Sequence, residues 1–232
     1  MSSGPVDSLS SSFTDLMTSL AVIFILLLVA TTNATVHKAQ KDRRITEDTR
    51  QGLHDKLRKL FPEIEIKDDL DDPLAVIIVL PEGLLNFKKD DAQIPPPGVT
   101  FLQTFVPDLA DLICSDPDVV NSVVVEGHTD QDGEDLHNVE LSQNRSMAVV
   151  VKALETLKSQ PSQYRCFIRL LSATGRGKND LIKDSHDTID KDKSRRVEFH
   201  LRVLSSEQRD QLKKQLQKST AAKAHVTTQN EQ

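Results

Sequence analysis

An aspartate and an arginine set the chemistry of this chain: Asp130 and Arg145, within residues 127–145, GHTDQDGEDLHNVELSQNR. A carboxylate accepts hydrogen bonds from an ammonium group, and a guanidinium fork offers paired donors to a carboxylate. Together they suit a zwitterion such as an amino-acid head group. The stretch reads as a strand end, a glycine-bearing loop and a helix start. Asp130 then sits at the mouth of the loop and Arg145 a turn or more into the helix. Thr129 and Asn138 can add neutral hydrogen bonds. The same pair could instead form a salt bridge that only pins the loop, and the residues alone leave both readings open.

Other chemistries find less support. His128 beside Asp130 and Asp132 lacks the third spaced ligand of a zinc site, and reads as a strand-end packing residue. The acids Asp130, Asp132, Glu134 and Asp135 lack the terminal bidentate glutamate of a calcium loop. The chain contains neither a nucleophile elbow nor a phosphate-cradling glycine loop, so no enzyme activity is expected. The basic run at residues 191–198, KDKSRRVE, reads as a solvated loop from which Arg196 supports the ligand loop.

A second ionisable residue stands out by its surroundings. Residues 13–34, FTDLMTSLAVIFILLLVATTNA, are almost wholly apolar and include Asp15. At ~1.5 Å per residue such a run crosses a bilayer core of ~30 Å. A carboxylate there costs a few kcal/mol by insertion scales. Asp15 therefore either rests at the headgroup level or faces other helices and does work. A low-dielectric setting raises a carboxyl pKa, which suits a group that takes up a proton or is neutralised by an ion. A lone helix encloses no water path, so a working Asp15 requires partner helices. A cleaved signal peptide is disfavoured, because no Lys or Arg precedes the run and Asp15 would lie inside its apolar part.

The elements that must position these groups follow from pattern. The 232 residues carry 29 basic and 35 acidic side chains, a net charge of −6, with no Trp and one Tyr. This argues against nucleic acid as the main partner. Cys114 and Cys166 show neither CxxC nor metal spacing; two unpaired thiols are expected, although an oxidising periplasm would allow them to pair. Residues 1–12 read as a free tail, 13–35 as a transmembrane helix and 36–72 as a linker helix. In the linker, Leu53, Leu57, Leu60 and Phe61 form a stripe suited to pairing two copies, or the segment is a plain spacer. Residues 73–204 form the globular domain and 205–232 a fraying tail. Strands are expected at 74–80, 119–126, 167–173 and 196–204, with helices around 101–113 and 141–157. That order predicts a four-stranded mixed sheet with helices on one face.

At residues 127–145, followed by RRVE at 195–198, the chain resembles the OmpA-like peptidoglycan-binding domain over about residues 74–204. The resemblance implies an α/β fold, an α+β sandwich of βαβαββ order. It also implies that Asp130 and Arg145 grip the diaminopimelate of a cell-wall stem peptide. Thr129, Asn138 and Arg196 fall on the family's accompanying site positions, and Phe87 on its phenylalanine before the first helix. The loop at 175–194 lacks the family's asparagine-rich pattern, and the triple proline at 95–97 is unusual for it.

A span opening F-x-D-L-M-T and joined to such a domain is similar to the MotB family of ion-driven stator subunits, and within it looks closer to ZorB of the Zorya anti-phage systems. This resemblance implies that Asp15 carries H+ or Na+ and that the chain is a homodimer. It further implies five surrounding copies of a MotA/ZorA-like membrane subunit, and a single-pass protein of the inner membrane with its C-terminal domain periplasmic. No bound cofactor is implied. The basic residues Lys38, Lys41, Arg43, Arg44 and Arg50 would by the positive-inside rule place that side in the cytoplasm. The family orientation is preferred, because a wall-binding domain has no ligand there. A flagellar subunit, or a passive tether with Asp15 inert, are the alternatives.

Overall fold

The computed structural model describes the backbone of residues 6–85 and 87–229, and the side chains of residues 16–85, 87–215, 217 and 218. The chain divides into two compact units, Met1–Ile45 and Thr46–Gln232. Helix α1 (Val6–Leu60) accounts for all described residues of the first unit. It is long and apolar enough to cross a membrane, with a most apolar window of mean hydropathy 2.1, none of it buried. Leu20, Phe24 and Leu28 are typical, each more than half exposed. Asp15 falls within α1, and its side chain lies outside the described ones. The expected tail over residues 1–12 is corrected from Val6 onward, where the chain is helical; residues 1–5 lie outside the described ones.

The second unit is built on a five-stranded sheet of order β1-β2-β5-β3-β4. Its strands are β1 (Glu65–Asp68), β2 (Ala75–Pro81), β3 (Val120–His128), β4 (Leu171–Gly177) and β5 (Arg196–Val203). The helices are α2 (Glu82–Leu85), α3 (Pro96–Cys114), α4 (Asp135–Thr156), α5 (Pro161–Leu170), α6 (Lys191–Ser194) and α7 (Ser206–Gln229). The sequence of β2, α3, β3, α4, β4 and β5 is the expected βαβαββ order. β3 and β4 are parallel, as a helical crossover requires, whereas β5 runs antiparallel between β2 and β3.

The fifth strand comes from the segment read as linker. Ile66 of β1 pairs opposite Ile78 and is buried, and Arg50 anchors β1 through an ion pair with Asp68. Leu53 and Leu57 lie four apart on one face of α1, Phe61 follows just past its end, and all three enter the domain core. The stripe is thus neither a dimer seam nor a spacer; only Leu60 of the four is exposed. A core of this kind forms because each fully buried Leu or Phe contributes ~1.5–3 kcal/mol. Phe105 links its parts, with ring centroids 4.8 Å from Phe61, 5.4 Å from Phe101 and 5.5 Å from Phe199.

Three further expectations are corrected. The strand placed at 167–173 begins at Leu171, because residues 161–170 form α5 with Pro161 in its first turn and Phe167 buried. The fraying tail is helical over Ser206–Gln229, and the Ser206 amide donates to the Thr46 hydroxyl at 3.1 Å. Cys114 and Cys166 are not free thiols: they form a disulfide that joins α3 to α5, with Cα atoms 6.0 Å apart. The triple proline opens α3, as N-cap and first-turn residues, where a missing N–H costs nothing.

Candidate functional site

Helix α4 is laid across β3 and β4 with glycine as the spacer. A Cβ on Gly127 would come within 2.2 Å of the Ser142 carbonyl oxygen, and one on Gly175 within 2.5 Å of the Gln143 nitrogen. The close approach, reinforced by the Gly177 amide donating to Ser142 Oγ at 2.9 Å, fixes the loop at the top of β3 against the first turns of α4. Asn138 is almost wholly buried and donates through Nδ2 to the Asp132 carbonyl at 2.7 Å. Gly133 supplies the left-handed turn, φ 88°, that lets the loop close there. Asn138 is therefore a loop clamp by its donor end, although it also lines the cavity described next.

That cavity, of about 620 Å³, opens beside the loop and is walled by Glu82, Phe87, Lys89, Asp90, Thr129, Asp130, Asn138, Arg145 and Arg195, among others. Arg145 is 4 % exposed. Its Nε donates to the Asp91 carbonyl at 3.0 Å and Nη2 to the Lys88 carbonyl at 3.1 Å, while the guanidinium lies 5.0 Å from the Phe87 ring centroid. Burial depresses its pKa from the usual arginine range, opposed chiefly by Glu82, whose Oε1 is 3.4 Å from Nη1. Arg145 lines the cavity, and its Nη1 makes no backbone bond but pairs with Glu82, so an incoming carboxylate would find a fixed, partly desolvated guanidinium there. Thr129 Oγ1 is buried with no hydrogen-bond partner, a neutral group left unsatisfied at the cavity wall.

The loop-pinning bridge between Asp130 and Arg145 does not form among the described ion pairs. Asp130 instead pairs with Arg195, Nη1 to Oδ2 at 2.8 Å, and accepts from the Asp132 amide at 3.0 Å. Arg195 also holds Glu82 and Asp192. At the rim, Lys191 bonds Asp132 at 2.7 Å, which lowers the carboxyl pKa and raises that of the lysine.

Arg196 is displaced from its expected place. Strand alternation sends Val197, Phe199 and Leu201 into the core, so Arg196, Glu198 and His200 project from the opposite sheet face. Arg196 donates through Nε to Glu198 at 2.7 Å and through Nη1 to the Asp180 and Ser194 carbonyls at 3.1 and 3.2 Å. The cavity-lining arginine is its neighbour Arg195. The sequence offered the pair RR but not the phase of the strand. Glu82, lying outside every sequence motif, was likewise missed.

Charged and ionisable groups surround Arg196. Glu198 lies 3.0 Å from His200 and 3.5 Å from His128, with Lys67 at 2.9 Å. Burial penalises the Glu198 charge, but the two histidines and Arg196 outweigh it and hold the carboxyl far below its usual range. Burial likewise opposes charge on His200, yet Glu198, Glu126 and Asp69 raise its pKa. A raised histidine pKa contributes stability that is complete below the unfolded value of ~6.5 and lost as pH rises through the folded value. In urea unfolding, the advantage of wild type over His200→Gln should thus be largest near pH 6 and shrink toward pH 8; an advantage independent of pH would show that His200 stays neutral.

Residues 86–196 match the model of the OmpA family. Among solved structures, the chain is similar to a putative MotB-like protein from Desulfovibrio vulgaris, at 21% identity and a TM-score of 0.50 over 71% of this chain and 96% of that one. It is also similar to the periplasmic domain of MotB, at 20% identity and a TM-score of 0.45, over 73% of this chain and 76% of that one. A third match is the cell-wall anchor of the T6SS from Pseudomonas aeruginosa, at 18% identity and a TM-score of 0.43, over 64% and 97%. No curated protein matches the chain. With its βαβαββ core and the Asp130 loop packed against α4, the chain carries an OmpA-like domain behind one long apolar helix.

Proposed function

We propose that this chain is a peptidoglycan-anchored stator subunit of an ion-driven membrane motor. The observation that carries the reading is the coexistence of two features in one polypeptide. One is a buried Arg145 that lines one cavity together with Asp130 in an OmpA-like domain; the other is an apolar helix that includes Asp15. In this reading Asp130, Arg145, Thr129 and Asn138 hold the diaminopimelate of a stem peptide. Arg196 acts only through Glu198 and the loop carbonyls. Asp15 passes H+ or Na+ within a homodimer surrounded by five MotA/ZorA-like subunits, and ion flow turns those partners about the fixed wall anchor. The domain is periplasmic and the protein inner-membrane. The Cys114–Cys166 bridge supports that side, since disulfides persist in oxidising compartments. The F-x-D-L-M-T opening and the short linker favour an anti-phage motor of the Zorya kind over a flagellar one.

Asp15→Asn tests the motor. The variant should lose phage protection, while membrane insertion and retention on purified sacculi remain at wild-type levels. Full protection would leave a passive tether. Loss of swimming rather than of protection on deleting the gene would make the protein a flagellar subunit.

A further inference from the structure

Glu82 opens α2, directly after β2, and stands at the centre of an alternating chain of charge. Its Oε1 is 3.4 Å from Arg145 Nη1, and its Oε2 takes the Nε of Arg195, whose Nη1 reaches Asp130 at 2.8 Å. Arg145, Glu82, Arg195 and Asp130 thus alternate in sign along one cavity wall. The two carboxylates are 19% and 14% exposed, so each is partly desolvated and depends on the cation between them. That cation is the most exposed of the four, at 30%, and has a further partner in Asp192 at the rim. Arg195 and Glu82 also line an adjoining cavity of about 550 Å³, which gives the guanidinium room to swing away.

A primary ammonium carries three donors and no acceptor, and fits between two carboxylates as a guanidinium does. We propose that Glu82 and Asp130 together form the ammonium subsite, and that Arg195 occupies it until a ligand arrives. Binding exchanges one cation for another: the ligand ammonium takes the two carboxylates, and Arg195 withdraws toward Asp192. The ligand carboxylate meets Arg145. The site therefore selects an ammonium-bearing diacid over a bare one. This inference rests on the wall-binding reading of the same cavity.

Titration calorimetry on the full chain in detergent tests it, with meso-diaminopimelate and with pimelate, which keeps both carboxylates and lacks both amines. Wild type should prefer meso-diaminopimelate by tenfold or more. Glu82→Gln should weaken meso-diaminopimelate several-fold and leave pimelate unchanged or tighter, a split that general loss of structure would not produce. Glu82→Ala should show the same split, and serves alone if the amide variant fails to fold. If both variants keep the wild-type preference in full, Glu82 is no part of the subsite while the wall-binding reading stands. If wild type binds neither compound, both fall.

Discussion

Arg145→Ala should release the protein from purified sacculi. Truncating one partner of a buried, charge-assisted contact costs about 2–5 kcal/mol. At ~1.4 kcal/mol per tenfold, that is roughly 30- to 4000-fold in Kd. The large figure is expected because Arg145 is preorganised before any ligand arrives. Two of its donors are already spent on the Asp91 and Lys88 carbonyls, and its plane is supported by Phe87. Little side-chain entropy remains to be lost on binding. The same anchoring makes the alanine variant ambiguous by itself, since it frees two carbonyls of the loop beside the cavity. Arg145→Lys separates the effects: it keeps the charge and loses the fork, and should bind at a level between the two. Sacculus pull-down together with thermal unfolding of all three proteins reads the result. Unchanged retention of Arg145→Ala would leave the arginine a fastener of the loop at residues 88–91.

Reducing the Cys114–Cys166 bridge, or replacing Cys114 by serine, should cost nearly as much in stability as Arg145→Ala costs in binding. The bridge closes a loop of 52 residues, for which chain entropy gives about 4 kcal/mol. In a chain of this size each kcal/mol moves Tm by roughly 2–4 °C, so a fall of about 8–16 °C is expected. The effect should centre on α5, a helix of ten residues that is tied to α3 by this bond and to the core chiefly by Phe167. Thermal unfolding with and without reductant measures it. A Tm unmoved by reductant, with two thiols then titrating, would mean that packing alone holds α5 in place. The comparison also bears on compartment, because a domain that depends on this bond folds poorly where thiols are kept reduced.

Sequence alone determined a good deal. The apolar run at residues 13–34 and the buried strand β2 were legible because a long or continuous apolar stretch has few alternatives. The loop and helix around Asp130 and Arg145 were legible because glycines, polar residues and a helical period coincide there. Tertiary structure decided the rest. β1 looked like part of an acidic linker, since a four-residue edge strand shows almost no periodicity until Ile66 finds Ile78 across the ladder. Leu53, Leu57 and Phe61 had the right spacing for either a partner helix or a core, and only the sheet beneath them chose. Arg195 and Arg196 are adjacent and chemically identical. Which of them faces the cavity depends on where β5 begins, for the first residue of a strand sets the phase of all that follow. Asp130 lies 65 residues from Arg195, and Glu82 lies 113 from it. No pattern along a chain encodes such a meeting, because it arises when β5 enters the sheet between β2 and β3 and brings their loops to one end.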